Sequence, residues 1–160
     1  MSAVLAIVIA FSMTDWTGRR EMLTREAERL QVAYSNCVAQ AMEPAEGIVV
    51  PVETHPDGAV KLSIAAKRAK IFIKEGLVWA EGVVIRKLDE KGAEDSRIEA
   101  SSCVFDRNTK SGWVSGTMKM TRGKTVFSGR DVYFSSPEDY LMSFGGSSIS
   151  SEDLKFGGGL

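Results

Sequence analysis

The sequence predicts an antiparallel all-β domain built of repeated hairpins, preceded by an apolar N-terminal segment and one helix. Three observations predict it. From Gly47 onward apolar and polar residues alternate, the period of a strand with one buried face. Polar turns break the alternation at roughly ten-residue spacing, with no helical pattern between them. A sixteen-residue interval also recurs, from Ala66 to Gly82, Ala100 to Gly116 and Gly129 to Gly145. Its third position holds Ala69, Cys103 and Val132, its fifth Ile71, Phe105 and Phe134, its thirteenth Trp79, Trp113 and Met142. Such a period marks an array whose units bury their apolar faces on one another.

Length and charge bound the rest. A chain of 160 residues is one domain with an appendage, long enough to bury a core. The net charge of −1 gives no overall bias toward nucleic acid or acidic membranes. Cys37 lies on a helical pattern and Cys103 on a strand pattern, without metal or redox spacing, so both read as buried free thiols.

Residues 1–16 centre on an apolar run, Ala3 to Phe11. It is shorter than the roughly 20 residues of a membrane span, and no basic region precedes it as in a signal peptide. Three readings stand: a buried core segment, a cleaved signal ending near Ala10-Phe11-Ser12, or the end of a truncated membrane anchor. The abrupt polar stretch from Asp15 to Arg20 favours an anchor or signal. Residues 17–46 are helix and linker. Leu23, Ala27, Leu30, Tyr34, Cys37 and Ala41 mark one helical face between Thr17 and Met42. The seam is weak for a coiled coil, so the helix is expected to pack on its own domain. Pro44 ends it.

Residues 47–149 form the β domain. Ile48 to Thr54 contains Pro51 and suits an edge strand. Pro56-Asp57-Gly58 is a turn, and Val60, Leu62 and Ile64 alternate after it. Ile71 and Ile73 follow, before a break at Glu75-Gly76. Further strands run Leu77 to Arg86, Arg97 to Phe105, Trp113 to Thr121, Lys124 to Phe134 and Tyr140 to Ile149, each closed by a polar turn. Residues 150–160 are expected to be a frayed, flexible tail.

Little in the sequence points to catalysis. The single histidine, His55, sits beside a turn and lacks the partners of a nucleophilic triad or a multi-histidine metal site. Gly123-Lys124-Thr125 resembles the end of a phosphate loop, but Met118 stands where the first glycine belongs and no helix follows. Asp89, Glu90, Glu94 and Asp95 are interrupted by Lys91 and Arg97 and read as a solvated loop. Alternation scatters Lys67, Arg68, Lys70 and Lys74 over two faces of a strand. Trp79 and Trp113 share a repeat position also held by Met142, which favours a core layer over a sugar- or base-stacking surface. The chain is therefore expected to be non-enzymatic, without cofactor, metal or nucleic-acid partner.

One resemblance adds to this. Leu77-Val78-Trp79-Ala80-Glu81-Gly82-Val83-Val84-Ile85, then Arg97-Ile98-Glu99-Ala100, Val104-Phe105-Asp106, Gly112-Trp113-Val114-Ser115-Gly116 and Phe127-Ser128-Gly129-Arg130-Asp131-Val132-Tyr133-Phe134 share the cadence of one family. The chain from Gly47 to Ile149 resembles the OstA-like, LptC-type lipopolysaccharide-export proteins. The resemblance implies a twisted, open β-jellyroll on the periplasmic side of the cell inner membrane. Its apolar interior would pass lipopolysaccharide or a related glycolipid. Its implied partners are other β-jellyroll export proteins, joined by edge-strand pairing, and an inner-membrane ABC transporter complex. The short apolar run and the long helix depart from the family pattern. Alternation offers Ile64, Ile71, Ile73, Val84, Ile98, Phe105, Met118, Phe127 and Phe134 as interior-facing, lipid-binding candidates. The same side chains would equally fill the dry core of a structural or adhesion module, and Trp79 and Trp113 leave a lectin-like or hydrolase reading.

Overall fold

The computed structural model describes residues 5–8, 16–137 and 140–151. Their elements are β1 (Leu5–Val8), α1 (Trp16–Ala39), β2 (Ala45–Thr54), β3 (Val60–Phe72), β4 (Leu77–Leu88), β5 (Glu94–Asp106), β6 (Ser111–Arg122), β7 (Thr125–Ser135), β8 (Tyr140–Ser143) and β9 (Ser147–Ser151). The strands form one open antiparallel sheet in the order β1-β8-β7-β6-β5-β4-β3-β2, with β9 beside the first half of β7. From β2 to β8 each strand pairs with its neighbour in sequence, so the sheet is a run of hairpins. This is the expected all-β, open, jellyroll-like architecture behind one helix. The expected strand Tyr140 to Ile149 is two strands, and the expected tail contributes Ser150 and Ser151 to β9. Of the apolar N-terminal run, Leu5–Val8 pairs with β8 and the rest lies outside the described residues, as do tail residues 152–160.

Short side chains close the turns. Asp57 Oδ1 accepts the Ala59 N–H at 2.9 Å. Asp89 Oδ1 accepts the N–H groups of Lys91 and Ala93, both at 2.9 Å. Asp106 Oδ1 accepts those of Asn108 at 2.8 Å and Thr109 at 3.3 Å. Each aspartate satisfies backbone donors that the ladder leaves over.

A crease across the sheet organises everything else. In an uninterrupted strand the buried residues recur every second position. Here they step by three at one level: Ala66 to Ala69 in β3, Ala80 to Val83 in β4, Ala100 to Cys103 in β5. Each step inserts one extra residue, a bulge that transfers the apolar set to the other pleat. Between β3 and β4 the pairing continues in register because both carry the insertion. The bulges align. Gly82 falls between the Ala66–Val83 and Arg68–Glu81 pairs, opposite Lys67. Ser101 falls opposite Gly82, and the β5–β6 register shifts there, beside Gly116. The β6–β7 register shifts between Val114 and Thr117. Gly82, Gly116 and Gly146 take φ of +60°, +96° and +107°, and Asp131 takes +53°. Glycine suits these left-handed positions because it has no Cβ to clash. The sixteen-residue interval now has a physical meaning. It is the path from the crease, around one hairpin tip, and back to the crease.

The crease divides the sheet into a base half and a tip half. One cluster joins them, with Ile64, Val83, Ala100, Met118 and Phe127 from the base and Val78, Cys103, Phe105, Val132 and Phe134 from the tips. A second cluster lies on the opposite face of the tip half, under α1. Leu23, Ala27, Leu30 and Cys37 pack there on Trp79, Val104, Trp113, Tyr133 and Met142. Those five sheet residues are cross-strand partners in one continuous row. The layers are therefore helix, tip half and base half, and α1 packs on its own domain as its apolar face predicts. Ala41, expected in that face, lies exposed beyond the end of the helix.

Candidate functional site

The interior between the two halves is the site that sequence reasoning singled out. Ile64, Phe105, Met118, Phe127 and Phe134 are buried in it, and Ile71 and Ile98 pack against it partly buried. Two candidates are corrected. Ile73 is 83% exposed, because β3 ends at Phe72 and Ile73 begins the turn closed by the Gly76 N–H to its carbonyl. Val84 points to the outer face, because the bulge at Gly82 puts its neighbours Val83 and Ile85 inside. Met120 is interior too, in step with Met118, whereas Val83 and Ile85 are interior residues that alternation alone did not assign. The signal that would have found them is Gly82 itself, a glycine inside a strand pattern.

The interior is tightly filled. Phe105 and Phe134 stack with ring centroids 6.0 Å apart. Gly112 makes room for them: a Cβ there would lie 2.4 Å from Phe134 Cζ and 2.9 Å from the Val104 carbonyl oxygen. A crevice of about 50 Å³ lies where the ends of the two halves meet. Leu62, Ile85, Ile98 and Met120 line it from the base, Phe134 and Leu141 from the tips, and half-buried Lys87 and Arg122 border it.

Cys103 lies in this interior and Cys37 on the buried face of α1, on opposite sides of the tip half, and both are free. Burial pushes the Cys103 thiol up to about 12, and burial also raises that of Cys37. His55 is half-buried, and its Nε2 lies 2.9 Å from the Leu88 carbonyl oxygen, tying the β2–β3 turn to the end of β4. Among the described residues no three His, Cys, Asp or Glu side chains gather as a metal site. No helix among them is long and apolar enough to cross a membrane.

No family model matches the chain, and no curated protein matches it.

Polar residues fix the helix over this row of side chains. Tyr34 Oη and Ser102 Oγ are 2.7 Å apart. Arg29 Nη2 donates to the buried Asp106 Oδ2 at 3.0 Å, and it also pairs with Glu26. The Glu26 hydrogen bond is the main cause that raises the Arg29 guanidinium above its ordinary value. Lys70, which alternation placed on a solvated strand, is 8% exposed. Its Nζ donates to the carbonyls of Cys37, Val38 and Gln40 at 3.3, 3.3 and 3.0 Å, and stands 5.3 Å from the Trp79 ring centre. A cation there answers the unpaired carbonyls and negative end of the helix. The four-residue basic cluster is thus dispersed: Lys67 and Lys74 exposed, Arg68 paired with Glu81, Lys70 buried. Trp79 and Trp113 are covered by α1 and present no stacking surface.

On the sheet edge, β2 has no second neighbour among the described residues. Its Val49 is 69% exposed.

Proposed function

We propose that this protein is a non-enzymatic carrier of lipopolysaccharide or a related glycolipid, one element of an export bridge at the cell envelope. Acyl chains would pass along the interior between the two halves of the sheet. Other β-jellyroll export proteins would pair with its open edge, and an inner-membrane transporter would supply the lipid on the periplasmic side. The observation that carries this reading is the folded, open sheet. It turns one apolar face inward and ends in the crevice between Ile85, Met120 and Phe134. Each methylene moved from water into such a site gains about 0.8 kcal/mol, so ten of them gain about 8 kcal/mol. The exposed β2 edge is a second support, since an unpaired strand can be extended by a partner strand.

The size of the crevice favours a second reading, a structural or adhesion module with a filled core. A space of about 50 Å³ is far below the roughly 300–1,000 Å³ of an ordinary ligand pocket. Under the carrier reading the two halves must part before a chain enters. Photo-crosslinking separates the two. A crosslinking residue at Met120 or Phe105 should capture a lipid A analogue, while one at Val84 on the outer face should not. A folded protein that captures no lipid from the interior positions, or captures it equally from Val84, is not a carrier of this kind.

A further inference from the structure

We propose that the outer side of the crease is a second binding site, for an extended anionic saccharide such as a sulfated or phosphorylated glycan. This does not rest on the acyl-chain reading, because the site lies on the opposite face of the sheet from the interior. The bulges that fold the sheet leave an open groove of about 800 Å³ across β3 to β7 and β9. Its floor is backbone, at Gly82, Gly129, Gly145 and Gly146. A side chain at Gly82, or at Gly116 beside the floor, would meet neighbours already lying there. A Cβ at Gly82 would be 2.7 Å from Lys67 Cδ, and one at Gly116 would be 2.6 Å from Ser101 Oγ.

Charge and hydrogen-bonding groups stand along this floor. Lys67, Lys119 and Arg130 line the groove with one carboxylate, Glu99, which gives 3 − 1 = +2 in a chain of net charge −1. Asp131 stands beside it, its Oδ1 engaged by the Gly116 N–H at 3.0 Å. The three cations form no ion pair with any described residue, whereas Lys61, Arg68, Arg86 and Arg97 on the same sheet each face a carboxylate. Hydroxyls of Ser101, Thr117, Ser128 and Ser148 fill the spaces between them. Such a set suits oxyanions and sugar hydroxyls together.

The spacing sets the length of the ligand. Adjacent strands lie about 4.8 Å apart, so Lys67 on β3 and Arg130 on β7, four strands away, are about 19 Å apart at the backbone. A single phosphate cannot span them, whereas a chain of several sugars can. No aromatic side chain lines the groove among the described residues, so bases have nothing to stack on and a glycan is favoured over single-stranded nucleic acid.

The test is a titration of the whole chain followed by the backbone amide signals of Gly82, Gly129 and Gly146. The probes are a heparin-derived hexasaccharide, uncharged maltohexaose, inorganic phosphate, a thymidine oligonucleotide, and phosphatidylglycerol vesicles. The hexasaccharide should shift these amides saturably and maltohexaose should not. The pair Lys119→Glu and Arg130→Glu should weaken binding about tenfold or more, as reversal of charges facing an anion does. The pair Lys74→Glu and Lys124→Glu, in exposed turns away from the groove, should leave it unchanged. All four positions are exposed, and circular dichroism checks that both double variants fold. Absence of a saturable shift, equal weakening by both pairs, equally tight binding of phosphate or the oligonucleotide, or binding to the vesicles alone would each overturn the proposal.

Discussion

Replacing Lys70 with methionine should undock the end of α1 while leaving the interior intact. The substitution keeps an unbranched stem of similar length and removes only the charged head. The carbonyls of Cys37 and Val38 then lose their side-chain donor at the helix terminus, and that of Gln40 keeps only the Met42 N–H. A hydrogen bond from a charged donor contributes about 1.5–3 kcal/mol, and a cation at a partly buried helix end up to about 2 kcal/mol. Contact with the Trp79 face adds about 0.5–1 kcal/mol. These contributions overlap, and relief from burying an ammonium offsets much of their sum. The net loss should be about 2–3 kcal/mol, a fall in Tm of about 5–10 °C for a domain of this size. Thermal unfolding monitored by tryptophan fluorescence measures it, because Trp79 and Trp113 lie under the helix. Amide exchange should accelerate around Gln40 and Met42, whose N–H groups bond to Asn36 and Gln40 in the last turn. Lys74→Met, in an exposed turn, should stay within about 0.5 kcal/mol of the parent. A Lys70→Met protein as stable as Lys74→Met, with unchanged exchange, refutes the capping role.

Two further predictions test the interior. Cys103 has a thiol pKa raised by burial from 9.0 to about 12, so its contribution to stability is complete below about pH 9 and is lost as pH rises toward 12. Between pH 8 and about 10.5 the parent should lose more unfolding free energy than Cys103→Ala, and parallel pH dependences would contradict this. Val83→Ser should cost about 2–3 kcal/mol in urea unfolding, whereas Val84→Ser, one residue along on the outer face, should cost under about 1 kcal/mol. Equal losses would mean that the bulge at Gly82 does not reverse the strand's faces.

Much of this fold was legible because its signals are local. Alternation gave the strands, Pro56-Asp57-Gly58 and Asp89 gave turns, and the Leu23-Ala27-Leu30 spacing gave the buried face of the helix. Trp79 and Trp113 read as core because they share a repeat position, and they are core. What failed depended on a backbone event inside a strand. Leu77 to Ile85 is apolar on both sides, so composition leaves its faces undecided. A positive φ at Gly82 decides them, and Val84 falls outside. Ile73 was misplaced for a different reason: the alternation continues one step beyond the point at which the chain turns. Lys70 was unreadable because its partners are carbonyls some thirty residues earlier, brought to it only when α1 folds over the tip half.

The position of the helix bears on how the interior would open. Every sheet residue in the cluster under α1 belongs to the tip half or its margin, from Phe72 and Leu77 to Tyr140 and Phe144. The Lys70 cap, the Arg29–Asp106 pair and the Tyr34–Ser102 contact join α1 to that half as well. None of these ties the tip half to the base half. The halves are held together by the interior side chains and by the strands that run through the crease. There the pairing is interrupted around Gly82, Ser101 and Gly116, and the backbone takes its left-handed conformations. Parting the halves would therefore expose apolar interior without breaking the helix dock. An acyl chain entering beside Met120 would replace that lost burial with its own methylenes, so a carrier of this design needs ligand and opening together. On that proposal, the filled core of the resting protein and a role in carrying lipid are two states of one hinge.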